Sequence, residues 1–122
     1  MALGRGSVVV LLVCFFVLNS ELVHAATYNV GGTVGWTFNT VGWSRGKRFR
    51  AGDTLVFNYR QGTHNVVAVT KEVYDKCSTP RRGSKVYRSG KDRVRLAKGQ
   101  NYFMCNFPGH CGSGVKIAIN AA

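Results

Sequence analysis

Beyond the first 25 residues, apolar positions fall mostly at alternate residues, in short runs closed by glycine turns. That spacing predicts β-strands. Thr54–Tyr59 places Leu55, Phe57 and Tyr59 on one face after a Gly52-Asp53 turn. Asn65–Thr70 is β-branched and almost continuously apolar, which predicts a strand covered on both faces. Arg93-Val94-Arg95-Leu96 alternates charge with apolar bulk, and Tyr102–Cys105 and Lys116–Asn120 complete the set. Trp36–Phe38 and Tyr28–Val30 are shorter candidates. Only Lys71–Lys76 suits a helical turn or two, and no segment sustains a 3.6-residue period. So many short strands in one small unit predict an all-β, two-sheet Greek-key sandwich with one or two short helical turns.

The N-terminal pattern is different. Arg5 precedes an unbroken apolar run of 11 residues, Val8–Leu18, and polar Asn19, Ser20 and Glu21 follow. A bilayer span needs about 20 apolar residues, so the run is too short for an anchor. Val23-His24-Ala25 offers small-residue cleavage chemistry, so residues 1–25 read as a secretory leader cut after Ala25. By sequence alone, a cut one residue later would change little. The domain is then 26–122, with no hydrophobic C-terminal tail for a lipid anchor and no Asn-x-Ser/Thr site. No repeat, linker or low-complexity segment interrupts it.

Composition adds a charge constraint. The chain carries 17 Lys plus Arg against 5 Asp plus Glu, a net charge of +12. Lys47, Arg48, Arg50, Arg81, Arg82, Lys85, Arg88, Lys91, Arg93, Arg95 and Lys98 are spread rather than clustered, as cationic outer faces of strands would be. Such a surface aids solubility and suits a polyanionic partner. No nucleic-acid recognition module accompanies it.

Cysteine chemistry is more specific. Removing the leader takes Cys14 and His24, leaving Cys77, Cys105 and Cys111 with His64 and His110. A secreted chain pairs its cysteines, and three cannot all pair. In Cys105-Asn106-Phe107-Pro108-Gly109-His110 a thiol and an imidazole are five residues apart. A straight strand would separate them by about 17 Å. The Pro108-Gly109 turn folds that distance back. If Asn65–Thr70 lies beside Tyr102–Cys105, His64 joins them. Two imidazoles and one thiolate form a blue-copper donor set, whose chemistry is one-electron transfer. Zinc normally takes four ligands, which here would require reduced Cys77 or Cys111.

The run Tyr102-Phe103-Met104-Cys105-Asn106-Phe107-Pro108-Gly109-His110-Cys111 resembles the ligand loop of the phytocyanins, plant blue copper proteins. Gly35-Trp36-Thr37, Lys47–Asp53, His64–Val67, Gly90-Lys91-Asp92 and Lys116–Ala118 match that family in the same order, over essentially all of residues 26–122. The basic, tail-less character is similar to its plantacyanin branch. The resemblance implies a cupredoxin-like fold, one copper on His64, Cys105 and His110, and a Cys77–Cys111 disulfide. It also implies that Phe107, Pro108 and Gly109 beside His110 form the surface where redox partners dock, and that Asn65 orients the site. One position departs from the pattern. Val115 stands where the family usually has an axial Met or Gln, and valine has no lone pair to donate. Met104 is no substitute, because its place next to Cys105 on a strand points it to the opposite face. Absence of the axial donor disfavours Cu(II) and raises the expected potential.

These readings anticipate a monomeric, secreted, non-enzymatic electron carrier of the apoplast or cell wall. Its redox partner is unspecified, and polyanionic wall polysaccharide is a second candidate partner. Nucleic acid and a membrane anchor are not expected. The alternative is a cationic extracellular interaction protein on the same scaffold with copper absent or incidental. An enzymatic reading, with His64 and His110 as an acid–base pair on a polyanion such as RNA, leaves Cys105 unused and finds no paired carboxylates.

Overall fold

A computed structural model describes residues 24–122. The leader proposed above therefore lies, apart from His24 and Ala25, outside the described residues. Strands β1 (Thr27–Asn29), β2 (Thr54–Asn58) and β5 (Lys91–Arg95) form one sheet in the order β1-β2-β5. Strands β3 (Val66–Val69), β4 (Val86–Tyr87), β6 (Gly99–Met104) and β7 (Lys116–Ala121) form the other in the order β4-β3-β6-β7. This is the expected all-β sandwich.

Alternation dictates the core. On β5 the charged Lys91, Arg93 and Arg95 face out, while Asp92 and Val94 are buried. Leu55 and Phe57 of β2 meet Val66, Phe103, Ile117 and Ile119 of the facing sheet. Phe57 spans the layers with its ring centroid 4.9 Å from Trp36 and 5.4 Å from Phe103. Edge-to-face contacts of this kind add to the burial energy of the rings. β3 is covered on both faces at its start, with Val66 and Val67 fully buried. Beneath the second sheet a smaller cluster of Val73, Met104 and Cys111 is roofed by helix α1 (Lys71–Lys76). Thr70 caps that helix, its hydroxyl accepting the Val73 N–H, and Lys71–Asp75 and Lys76–Glu72 pair along its exposed side.

Three differences from the sequence reading matter. Trp36–Phe38 is not a strand. Gly31 and Gly35 adopt left-handed backbone angles (φ 78° and 83°), and a Cβ at Gly35 would lie 2.6 Å from the Asn58 carbonyl oxygen. The chain instead turns there, and the Trp36 N–H donates to that oxygen at 2.8 Å. β4 was not anticipated, because two residues carry no period. β6 starts three residues before Tyr102, because Gly99, Gln100 and Asn101 pair with Ala121, Asn120 and Ile119 of β7, and the Asn101 amide donates to the Ala97 and Gly99 carbonyls at the turn before it.

Candidate metal centre

Strand pairing brings the predicted residues together. β3 and β6 run antiparallel with Val67 opposite Met104. Continuing that register past the strand ends sets Val66 opposite Cys105 and Asn65 opposite Asn106, with His64 next along the chain. Cys105 is fully buried, and its N–H extends the ladder to the Val115 carbonyl at 3.0 Å. The Pro108-Gly109 segment turns back as expected. His110 N–H donates to Phe107 O, and Ser113 N–H to His110 O, which returns the imidazole to the thiol.

The donor atoms of His64, Cys105 and His110 all lie within 4.8 Å of one another. The two Nδ1 atoms are 2.9 Å apart, and Cys105 Sγ is 3.5 Å from Nδ1 of His110. Burial pushes the Cys105 thiol above its ordinary pKa, opposed by the N–H groups of Asn65 and Phe107. Burial, and then the charge of His110, holds His64 below the usual imidazole range, which favours the uncharged ring that a metal requires. Cys77 and Cys111 are bonded to each other, and Cys105 is the free cysteine among the described residues. That donor set fits copper, which is served by two imidazoles and a thiolate, better than zinc, which normally completes four protein ligands.

Asn65 does more than the sequence suggested. Its backbone N–H donates to Cys105 Sγ at 3.5 Å. Its side chain bridges to Asn106, donating to Oδ1 and accepting the backbone N–H at 2.9 Å. Its carbonyl accepts the buried Trp36 indole N–H at 2.9 Å. Asn65 thus fastens both ligand segments and is itself fastened by Trp36, which is a support of the site as well as core.

Phe38, which the sequence reading left as a strand residue, forms a wall of the site. Its ring centroid is 5.5 Å from His64 and 5.0 Å from His110. It is 48% exposed, with exposed Val34 and Val41 nearby in sequence. The alternation pattern could not place it, because its position follows from the turn at Gly35. Phe107 flanks His110 at 5.5 Å and is half-buried, while Pro108 and Gly109 are exposed beside it. Tyr59 approaches His64 at 6.3 Å and anchors its hydroxyl on buried Asp92 and on the Tyr87 carbonyl. Val115 is fully buried and bonded through its backbone to both Cys105 and His110, but its side chain offers no donor. Met104 lies in the cluster under the helix, as expected.

The plastocyanin-like domain family matches residues 36–115. The basic blue protein of Arabidopsis thaliana is 54% identical over 129 residues, covering 99% of each chain. Chemocyanin of Lilium longiflorum is 49% identical, with both chains covered completely. The solved structure of cucumber basic protein, a blue copper protein, superposes with a TM-score of 0.77 at 61% identity, covering 80% of this chain and 100% of its own. The chain therefore belongs to the phytocyanins, the plastocyanin-like family of blue copper proteins, and copper is its cofactor.

Proposed function

We propose that this protein is a secreted one-electron carrier whose copper is held by His64, Cys105 and His110, with no axial side-chain donor at Val115. The observation that carries the reading is the cluster of one unpaired thiol and two imidazoles within 4.8 Å, buried except at His110. Bound copper supplies reversible one-electron chemistry. The chain supplies the rest. Cys105 and His64 hold their positions through Asn65, whose N–H tempers the charge on the thiolate. Phe38 and Phe107 restrict water around the His110 edge, and with Pro108 and Gly109 they offer a partly apolar docking surface. No acid–base or nucleophilic constellation is needed, in keeping with an electron carrier rather than an enzyme.

Copper titration of the purified protein tests this. An intense thiolate-to-copper band with a narrow hyperfine splitting is expected, and Val115→Met is expected to lower the potential. A colourless protein whose Cys105 titrates as a free thiol would sink the reading in favour of the cationic interaction protein.

Export from the cell is supported by the leader pattern and by the disulfide, which persists in oxidising compartments. There, a polyanionic polysaccharide is the proposed second partner. Asp53 and Asp92 are buried, and Asp75 and Glu72 are paired with Lys71 and Lys76. The described surface therefore presents no unpaired carboxylate side chain, and Lys91, Arg93 and Arg95 project from β5 at intervals of about 7 Å. Retention on polygalacturonate that is lost with rising salt is expected. Glutamate at all three β5 positions should weaken it, and retention indifferent to salt would argue against the proposal.

A further inference from the structure

Asp53 is 2% exposed and forms no ion pair among the described residues. Both carboxylate oxygens are used by main-chain donors. Oδ2 accepts the Arg50 N–H at 2.8 Å, and Oδ1 accepts the Ala26 N–H at 2.9 Å. The Ala26 carbonyl in turn accepts the Thr54 N–H at 2.9 Å, so residue 26 fastens the start of β1 to the start of β2. The neighbouring cations do not neutralise Asp53. Arg50 and Arg95 are exposed, and neither is paired with it. A buried carboxylate without a counter-charge is costly.

We infer that removal of the leader at the Ala25–Ala26 bond, the cut already read from the sequence, creates the missing counter-charge: the new α-ammonium of Ala26, seated on Asp53. The step needs only water and a leader peptidase. The C–N bond breaks, Ala25 leaves as a carboxylate, and the Ala26 nitrogen gains protons to become an ammonium already 2.9 Å from Oδ1. A neutral amide bond becomes a charge-assisted one. The position of the cut then matters, contrary to the reading from sequence alone. A cut after Ala26 puts the ammonium on Thr27 and removes both the nitrogen that sits on Asp53 and the bond to Thr54, and a cut after His24 leaves a neutral amide facing Asp53.

This inference rests on the export reading, but its two parts are tested separately. All described strands lie within residues 27–121, and the whole solved chain of cucumber basic protein aligns with 80% of this chain. Chains beginning at Ala26 and at His24 are therefore compared in denaturant titrations, each with Asp53 and with Asp53→Asn. The Ala26 start should raise the folding equilibrium constant about tenfold, or ~1.4 kcal/mol, and Asp53→Asn should remove the difference. Equal stability of the two starts, or a difference that survives Asp53→Asn, overturns the ion pair. If Asp53→Asn does not fold, the Ala26 amino titration in the folded protein decides. A value above the ordinary range of about 7.7–8.0 supports the pair, and one within or below it does not. N-terminal sequencing of the exported protein should begin at Ala26, and any other start overturns the processing site.

Discussion

Cys105→Ser is expected to yield a folded protein that stays colourless in Cu(II). The thiolate supplies the charge-transfer absorption, and a serine hydroxyl at that position keeps its proton at neutral pH. The change is nearly isosteric at a fully buried position, and the hydroxyl can accept the Asn65 N–H now directed at sulfur. Circular dichroism should therefore remain that of the parent while the visible band and narrow hyperfine pattern vanish. The same substitution should alter proton linkage. Because burial pushes the Cys105 thiol up, copper uptake by the parent releases its proton, and affinity falls as pH falls. In Cys105→Ser that dependence should weaken by about one proton. A persistent blue band would show that Cys105 is not the ligand.

The second large effect concerns stability. Replacing both Cys77 and Cys111 with alanine is expected to cost about 2–5 kcal/mol, read from the denaturant midpoint. The bridge closes a separation of 34 residues and joins Cys77, the left-handed residue that caps the C-terminus of α1, to the residue after His110. Without it, the ligand loop remains attached by its own turn bonds and by the Val115–His110 and Val115–Cys105 contacts. Copper retention should therefore weaken without being abolished. A loss below about 1 kcal/mol would mean that the loop is held by packing alone, with the bridge redundant.

The ligand set was legible because its chemistry is sparse. With the leader set aside, the chain has two histidines and one thiol left over, and Pro108-Gly109 announces the return of the loop. The pairing of β3 with β6 could be posed as a condition, since β3 and the Tyr102–Met104 end of β6 are both apolar. What was hidden depends on tertiary path. Phe38 reaches the imidazoles only because the backbone turns at Gly35 and hangs Trp36 on the Asn58 carbonyl. Asn65 and Asn106 meet only once the two strands are in register. β4 is too short for any pattern to reveal, and it exists because Val66 and Val67 present a free edge for it to cover.

The two sides of β6 have a consequence for sulfur chemistry. Cys105 belongs to the core between the sheets, while Met104 points the other way, into the cluster that holds Cys111 and its bridge to Cys77. Exchange between a thiolate and a disulfide requires the attacking sulfur to reach the bridge. Cys105 is fully buried and packs in a different cluster from the bridge. Among the described residues a free thiol and a closed bridge thus coexist within seven residues, and burial, which favours the protonated thiol, slows exchange between them.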